Sequence, residues 1–515
     1  MNNGLKASKI LSREQAIAHI SENLEKGNTL ILAMFDIDFF INVDARVGKP
    51  EGDRILERIS RFLADSVNTE FTRYGGDEFL AVYKGKTAEE LKFELEALRK
   101  DFRRERFIST DSIYGKVPIT VSISITKSGG NSSDTWILLK SAEIGLAMAK
   151  KMGRNRVIIT PEQNISVSNN LQDAVMTISG GLKGYGGDGG NAFEAGFAEP
   201  YGVEINSEGE LYVVDRGNHC IRKVDHKGII STVAGRGFYG YGGDGGQAVK
   251  AMINKPNGVA IDKFNKIYIA DTGNHCIRKI DNSGNIYTIA GCGEEGYTGD
   301  GGMATRATMS RPGGVAVDDK GYVFTNDYGN NVIRMITPEG IIHTIAGSGQ
   351  FDYTGDGGDP LKAGLNKPYG LAVTGDGNTL YIADYGNNCI RKVDRKKNII
   401  STVCGNGKEG YTGDNSDADK SQISKPFWVG IWPPDYLLIA DGENNCIRVV
   451  NTKTNKIATL AGNGNPGYKD GAVLNREIEF NLPAGVVADA RRRLVYVADY
   501  GNNAVRKIRV EQLPC

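Results

Sequence analysis

Apolar residues follow two different rhythms along this chain. Up to about residue 160, short apolar runs alternate with amphipathic stretches. Residues 29–35 form an apolar run that reads as a buried strand. Residues 51–67 repeat Ile55, Leu56, Ile59, Phe62 and Leu63 at helical spacing. Residues 71–74 and 79–83 flank a Gly-Gly-Asp turn and read as the arms of a hairpin. A helix over 87–102 is opened by Thr87, with Glu89 and Glu90 in its first turn. A strand over 117–126, a helix over 134–152 that stops at Gly153, and a strand over 157–160 complete the half. This order predicts an α/β unit, one mixed sheet with helices packed on it.

From about Val175 the pattern repeats. Asp-x-Gly-Asn blocks begin at Asp215, Asp271, Asp327, Asp384 and Asp499, with the variant Asp441-Gly-Glu-Asn, at intervals of 56 to 58 residues. Each unit opens on Pro-x-Gly-Val or a variant of it (Pro200, Pro256, Pro312, Pro368, Pro426, Pro483). Strands resembling Tyr-Ile-Ala-Asp, Ile-Arg-Lys and Thr-Ile-Ala-Gly follow. Four short strands per unit and six units predict an all-β six-bladed propeller. The sixth unit lacks its last strand, while a spare copy, Thr177-Ile178-Ser179-Gly180, precedes the first. The N-terminal strand is therefore expected to complete the last blade and close the ring. Residues 161–174 are polar and read as a linker, which gives domains at 1–160 and 175–515.

Composition narrows the possibilities. Lys+Arg and Asp+Glu number 62 each in 515 residues, and the balance persists in the propeller half. That argues against phosphate-driven nucleic-acid binding. No apolar run approaches the roughly 20 residues that span a bilayer, and residues 1–6 lack the apolar core of a signal peptide. A cytoplasmic location without membrane attachment is the expectation. Of seven cysteines, Cys220, Cys276, Cys389 and Cys446 recur at one repeat position. They read as small buried residues in a reducing compartment.

The chemistry concentrates at Arg73-Tyr74-Gly75-Gly76-Asp77-Glu78-Phe79. Paired glycines let a ligand approach the backbone. Asp36-Ile37-Asp38 ends an earlier strand, and Gly52-Asp53 adds another acid. Carboxylates on adjacent strand ends suit a shared divalent cation under substrate phosphates. In the propeller, the Gly-Asp-Gly-Gly loops read as turns, each offering one carboxylate. His219 and His275 share their repeat position with Asn331, Asn388, Asn445 and Asn503, and read as loop hydrogen-bonders. Tyr185, Tyr241, Tyr297, Tyr353 and Tyr411 recur once per blade; they either pack against the blade or line a face for a peptide or glycan.

Asp36-Ile37-Asp38 with Phe40, Gly48, Gly52-Asp53, Arg73 to Phe79, Val121-Ser122-Ile123, and Ala149-Lys150 through Gly153-Arg154-Asn155 together resemble the GGDEF (diguanylate cyclase) domain over roughly 28–160. Residues 175–510 resemble an NHL-repeat propeller. The first resemblance implies that Asp36, Asp77 and the Ile37 carbonyl hold two Mg²⁺ ions, with Mn²⁺ as a substitute, on a triphosphate. It implies that Glu78 supports the attacking 3′-hydroxyl. Lys150 and Arg154, four residues apart, would share a helix face and clamp phosphates. Backbone N–H groups near Phe39 and Phe40 would cradle those phosphates, and Asp44 and Asp53 would meet the base. The implied activity is a nucleotidyl cyclase that makes c-di-GMP or a related cyclic dinucleotide from GTP as a homodimer, with the propeller docking a protein or peptide. Three departures are visible. Ile41 and Asp44 stand where the family has Lys and Asn, Gly48-Lys49 replaces Gly-His, and Ser66 and Thr69 occupy the inhibitory product site. The Ile41 and Asp44 substitutions motivate an alternative, a non-catalytic nucleotide-binding scaffold whose propeller binds a protein or peptide.

Overall fold

A computed structural model describes residues 10–38, 40, 49–67, 69–75, 77–105, 107, 119–128, 135–151, 154–160, 175–180, 183–471 and 477–514. They fall into two compact units, 1–165 and 166–515.

The first unit is a six-stranded mixed sheet with helices. It contains β1 (Ile10–Leu11), α1 (Arg13–Glu25), β2 (Leu30–Ile37), α2 (Lys49–Val67), β3 (Glu70–Gly75), β4 (Glu78–Lys84), α3 (Ala88–Arg104), β5 (Val121–Lys127), α4 (Thr135–Lys151) and β6 (Val157–Ile159). The strand order is β1-β3-β4-β2-β5-β6. β2 lies near the centre, hydrogen-bonded to β4 and β5 on its two edges and buried along its whole length. Ile31, Ala33, Phe35 and Ile37 on one face join Ile55, Ile59 and Leu63 of α2 and Leu91, Leu95 and Phe102 of α3 in a single core. The other face meets α1 and α4. Burial on both faces explains the unbroken apolar run.

β2 extends past the expected run, so Asp36 lies inside the strand. Its backbone pairs with Glu78 on one side and Ser122 on the other. β1 and α1 are additions to the sequence pattern. α1 is opened by a reciprocal cap between Ser12 and Gln15 and buries Ala16, Ile20 and Leu24 at i, i+4 and i+8. Three apolar positions among polar ones leave little periodic signal.

The second unit is a six-bladed β-propeller. Each blade is a four-stranded antiparallel sheet. β7 (Val175–Gly180) pairs antiparallel with Ala504–Arg509, in the register Ala504↔Gly180 and Arg506↔Thr177. The spare strand thus completes the sixth blade, as its repeat pattern requires. Cys220, Cys276, Cys389 and Cys446 are buried and unbridged.

Candidate functional site

Strand pairing assembles the acids of the first unit. Asp36 stands opposite Glu78, and both are buried. The Ile37 N–H donates to the Asp77 carbonyl at 3.3 Å, which sews the turn of the β3–β4 hairpin onto β2. Lys150 Nζ, from α4, lies 2.6 Å from Asp36 Oδ2. Burial pushes the Asp36 carboxyl up to about 7; Lys150 opposes the shift, and the Asp77 and Glu78 charges add to it. Three carboxylates gather beside the Lys150 ammonium, and all-oxygen donors suit a hard cation. Asp36, Asp77 and the Ile37 carbonyl are the groups that could hold one. Among the described residues no cluster of three or more His, Cys, Asp or Glu is arranged as a metal cage. A cation here would complete its shell from water or phosphate oxygens, as Mg²⁺ does. At Gly75 a Cβ would meet nothing within 4 Å. Room beside the hairpin backbone, rather than packing, is what this glycine provides.

Asp38 has a different task. It accepts from Thr120 Oγ1 at 2.7 Å, Ser122 Oγ at 2.6 Å and the Asn155 N–H at 2.9 Å. It therefore ties β5 to the turn that follows α4. From α3, Arg99 donates to Asn155 Oδ1 at 2.8 Å, and Glu96 accepts the Val157 N–H at 3.2 Å. The sequence reading missed this brace. Its trace was the polar alternation Ser122, Ser124, Thr126 along β5.

One expectation is corrected. α4 stops at Lys151, and Arg154 has a left-handed backbone, φ 62°, with its N–H donating to the Ala149 carbonyl. Lys150 and Arg154 therefore do not share a helix face; the first reaches Asp36 and the second sits in the turn held by Asp38. Asp53 lies exposed on α2, and the Phe40 side chain is buried in the core. Phe39, Ile41, Asp44 and Gly48 lie outside the described residues.

In the propeller, repeated polar residues knit the blades. His219 and His275 accept the backbone N–H groups of Lys255 and Arg311 through Nδ1. Asn331, Asn388, Asn445 and Asn503 do the same for Lys367, Lys425, Leu482 and Glu199. Each bond links one blade to the next. The Gly-rich loops do more than turn. Asp188, Asp244, Asp300, Asp356 and Asp414 pair at 2.5–2.9 Å with fully buried arginines: Arg222, Arg278, Arg334, Arg391 and Arg448. The once-per-blade tyrosines lie over these guanidinium groups at 4.9–5.4 Å. Their hydroxyls meet threonines of the same blades. These tyrosines pack against their blades. The Ile-Arg-Lys repeat was the visible sign of the buried arginines.

Aromatic side chains meet across the propeller axis. Tyr201 and Tyr369 come from the first and fourth blades, opposite one another in a ring of six, yet their ring centroids are 5.5 Å apart. Phe427, Tyr385, Tyr328 and Tyr500 pack around them. This end of the axis is filled by side chains.

Residues 7–156 match the family model "Diguanylate cyclase, GGDEF domain". Residues 365–393 and 480–508 match "NHL repeat", and stretches between 160 and 354 match "Teneurin NHL domain". Fold and motif thus define a GGDEF domain and an NHL-repeat propeller in one chain. NHL repeat-containing protein 2 of Gallus gallus is 30% identical over 344 residues, covering 61% of this chain and 46% of that protein. Its Homo sapiens counterpart is 28% identical, covering 58% and 45%. The chain spans about half the length of these curated relatives. Among solved structures, the GGDEF domain of DgcB from Caulobacter crescentus, in complex with c-di-GMP, is 23% identical with a TM-score of 0.27. That match covers 31% of this chain and 93% of the other.

Proposed function

We propose that the first unit is a Mg²⁺-dependent nucleotidyl cyclase and that the propeller docks a protein or peptide partner. The observation that carries the first part is the buried set of Asp36 and Glu78 with Asp77 at the hairpin turn, faced by Lys150 and open beside Gly75. When bound, two Mg²⁺ ions supply charge neutralisation along the triphosphate. Asp36 and Asp77 hold them, and Lys150 and Arg154 bring further positive charge to the phosphates. The 3′-oxygen of one nucleotide attacks the α-phosphorus of the other. An O–P bond forms, the bond to the β-phosphate breaks, and pyrophosphate leaves. Glu78 takes the hydroxyl proton. Each domain holds one triphosphate, so two copies must face each other to close a cyclic dinucleotide. Asp53, an acceptor, meets the N1–H and N2–H donors of guanine, which makes GTP the proposed substrate.

The alternative, a nucleotide-binding scaffold without turnover, is favoured by Ile41 and Asp44 at positions where the GGDEF pattern has Lys and Asn. Incubation with Mg²⁺ and each of the four nucleoside triphosphates, followed by product mass, separates the two. A cyclic dinucleotide that disappears in Asp77→Ala supports the cyclase. Nucleotide binding with no product from any mixture supports the scaffold.

A further inference from the structure

We infer that the propeller docks its partner on the face that carries the residues preceding the blade prolines, and that this partner is an acidic peptide segment with an apolar side chain among its carboxylates. The inference deepens the docking role proposed above and rests on it.

The face is built by an unusual backbone. Glu199, Lys255, Arg311, Lys367, Lys425 and Leu482 each stand immediately before a proline, and each has φ between 44° and 55°. A side chain in the left-handed region is costly, and a following proline normally favours an extended backbone. The six histidine and asparagine bonds hold these residues in place, each side chain fixing the N–H of the next blade. Six side chains are thereby set at equivalent positions around one end of the ring.

Their charges are unevenly distributed. Blades two to five contribute Lys255, Arg311, Lys367 and Lys425 in succession, and Arg311 and Lys367 are exposed. Glu199 of blade one is bonded to Arg216 and is neutralised locally. Leu482 of blade six is uncharged. Glu295, 3.7 Å from Arg311 Nε, and Glu443 and Glu409, whose charges act on Tyr385, offset part of the arc, leaving four cations against three acids. Enclosed by this arc are Tyr328, Tyr385 and Phe427, partly buried around Tyr369. The apolar centre and the cationic rim are thus one continuous surface.

The geometry of the rings decides the class of ligand. Tyr328, Tyr385 and Phe427 meet Tyr369 at interplanar angles of 63°, 59° and 78°. Rings inclined this steeply set an edge against a neighbour's face, so these three contacts offer no pair of parallel faces between which a nucleobase would be sandwiched. An aliphatic or aromatic side-chain tip seats among such edges, while flanking carboxylates meet one cation per blade. Charge complementarity of this kind steers association and fixes register.

The test uses the full chain and an array of synthetic twelve-residue peptides. Each carries Trp, Phe or Leu between pairs of Asp or Glu, with Asn/Gln twins and single-stranded oligothymidine as comparators. Binding of the best peptide is followed by fluorescence anisotropy. Acidic peptides should bind and their neutral twins should not. An Arg311→Glu/Lys367→Glu double variant should weaken binding roughly tenfold or more. A Lys263→Glu/Lys266→Glu variant, at the other end of the blades, should leave it unchanged. Tyr328→Ala should weaken binding without changing its salt dependence. Circular dichroism melting of every variant identifies any that fail to fold. Equal binding of the neutral twins, tighter binding of oligothymidine, or indifference to the Arg311/Lys367 changes would overturn the proposal. Triphosphate turnover is measured on the same preparations. Loss of peptide binding with product intact sinks the docking surface alone, whereas loss of product with peptide binding intact sinks the cyclase alone.

Discussion

Asp36 and Glu78 face each other across β2 and β4, so two buried carboxylates share one rung of the sheet. Lys150 reaches the first of them, at 2.6 Å from Asp36 Oδ2. Asp36→Asn removes a carboxyl that burial already disfavours in its ionised form. The variant should lose Mg²⁺ binding by titration calorimetry and lose product. Its metal-free melting temperature should equal or exceed that of the parent, since activity and stability are opposed at such a site. A clear drop in melting temperature would show that Asp36 is there to hold Lys150.

Asp38→Ala should have the reverse signature. Three donors, Thr120, Ser122 and the Asn155 N–H, lose their common acceptor. About 2–4 kcal/mol of stability should be lost, because donors left unsatisfied carry their desolvation cost. The turn holding Arg154 should loosen, raising KM for the triphosphate more than it lowers kcat. Chemical denaturation and steady-state kinetics on one preparation measure both. Unchanged stability would remove Asp38 from the brace.

The sixth blade is closed by a drier contact than the others. Asp470 and Arg506 are both fully buried, with Arg506 Nε 2.8 Å from Asp470 Oδ1. Asp470 Oδ2 also accepts the N–H of Thr177 in β7, at 2.8 Å. Asp470→Ala leaves buried Arg506 with Asp499 as its remaining carboxylate, at 2.9 Å, takes the acceptor from the Thr177 N–H of the closing strand, and should cost about 3–5 kcal/mol. Asp188, which plays the corresponding part for Arg222, is 47% exposed in its side chain. Water can replace it there, so Asp188→Ala should cost no more than about 1 kcal/mol. Urea unfolding of the two variants gives the comparison, and equal costs would refute it.

Glu204 supplies a pH-dependent test. It lies on the Pro200–Ile205 strand of the first blade, bonded to its neighbour's Ile205 N–H at 2.9 Å. Burial pushes its carboxyl up to about 7, and the Ile205 N–H opposes the shift. The folded state thus holds a proton that the unfolded chain releases near its ordinary value of about 4.3. Stability from this residue is full below that value and falls as pH rises to about 7, after which it is level. Glu204→Gln cannot ionise. It should match the parent near pH 4.5 and exceed it by about 1–3 kcal/mol at pH 8, a range that allows for partial solvent access. Melting curves across that interval decide it. A gap that does not widen with pH would place the carboxylate in water.

Legible in the chain alone were the six blades, the strand borrowed from the N-terminal side and the acids Asp36, Asp77 and Glu78 as one group. Each of these is local or periodic: a strand shows as an apolar run, a blade as a repeat, and a hairpin places its neighbours within a few residues. What the polar side chains do emerged with the packed fold. That Asp38 braces Asn155, that Arg154 leaves the helix of Lys150, that Asp188 neutralises Arg222, and that Tyr201 meets Tyr369 across the axis all depend on partners far apart in the chain. The physical reason is that a side chain's role is fixed by which groups surround it after burial. Chain order gives the direction of a strand or helix face, but the neighbours that satisfy a buried charge or fill an axis arrive from elements whose relative placement is set only when the whole core packs.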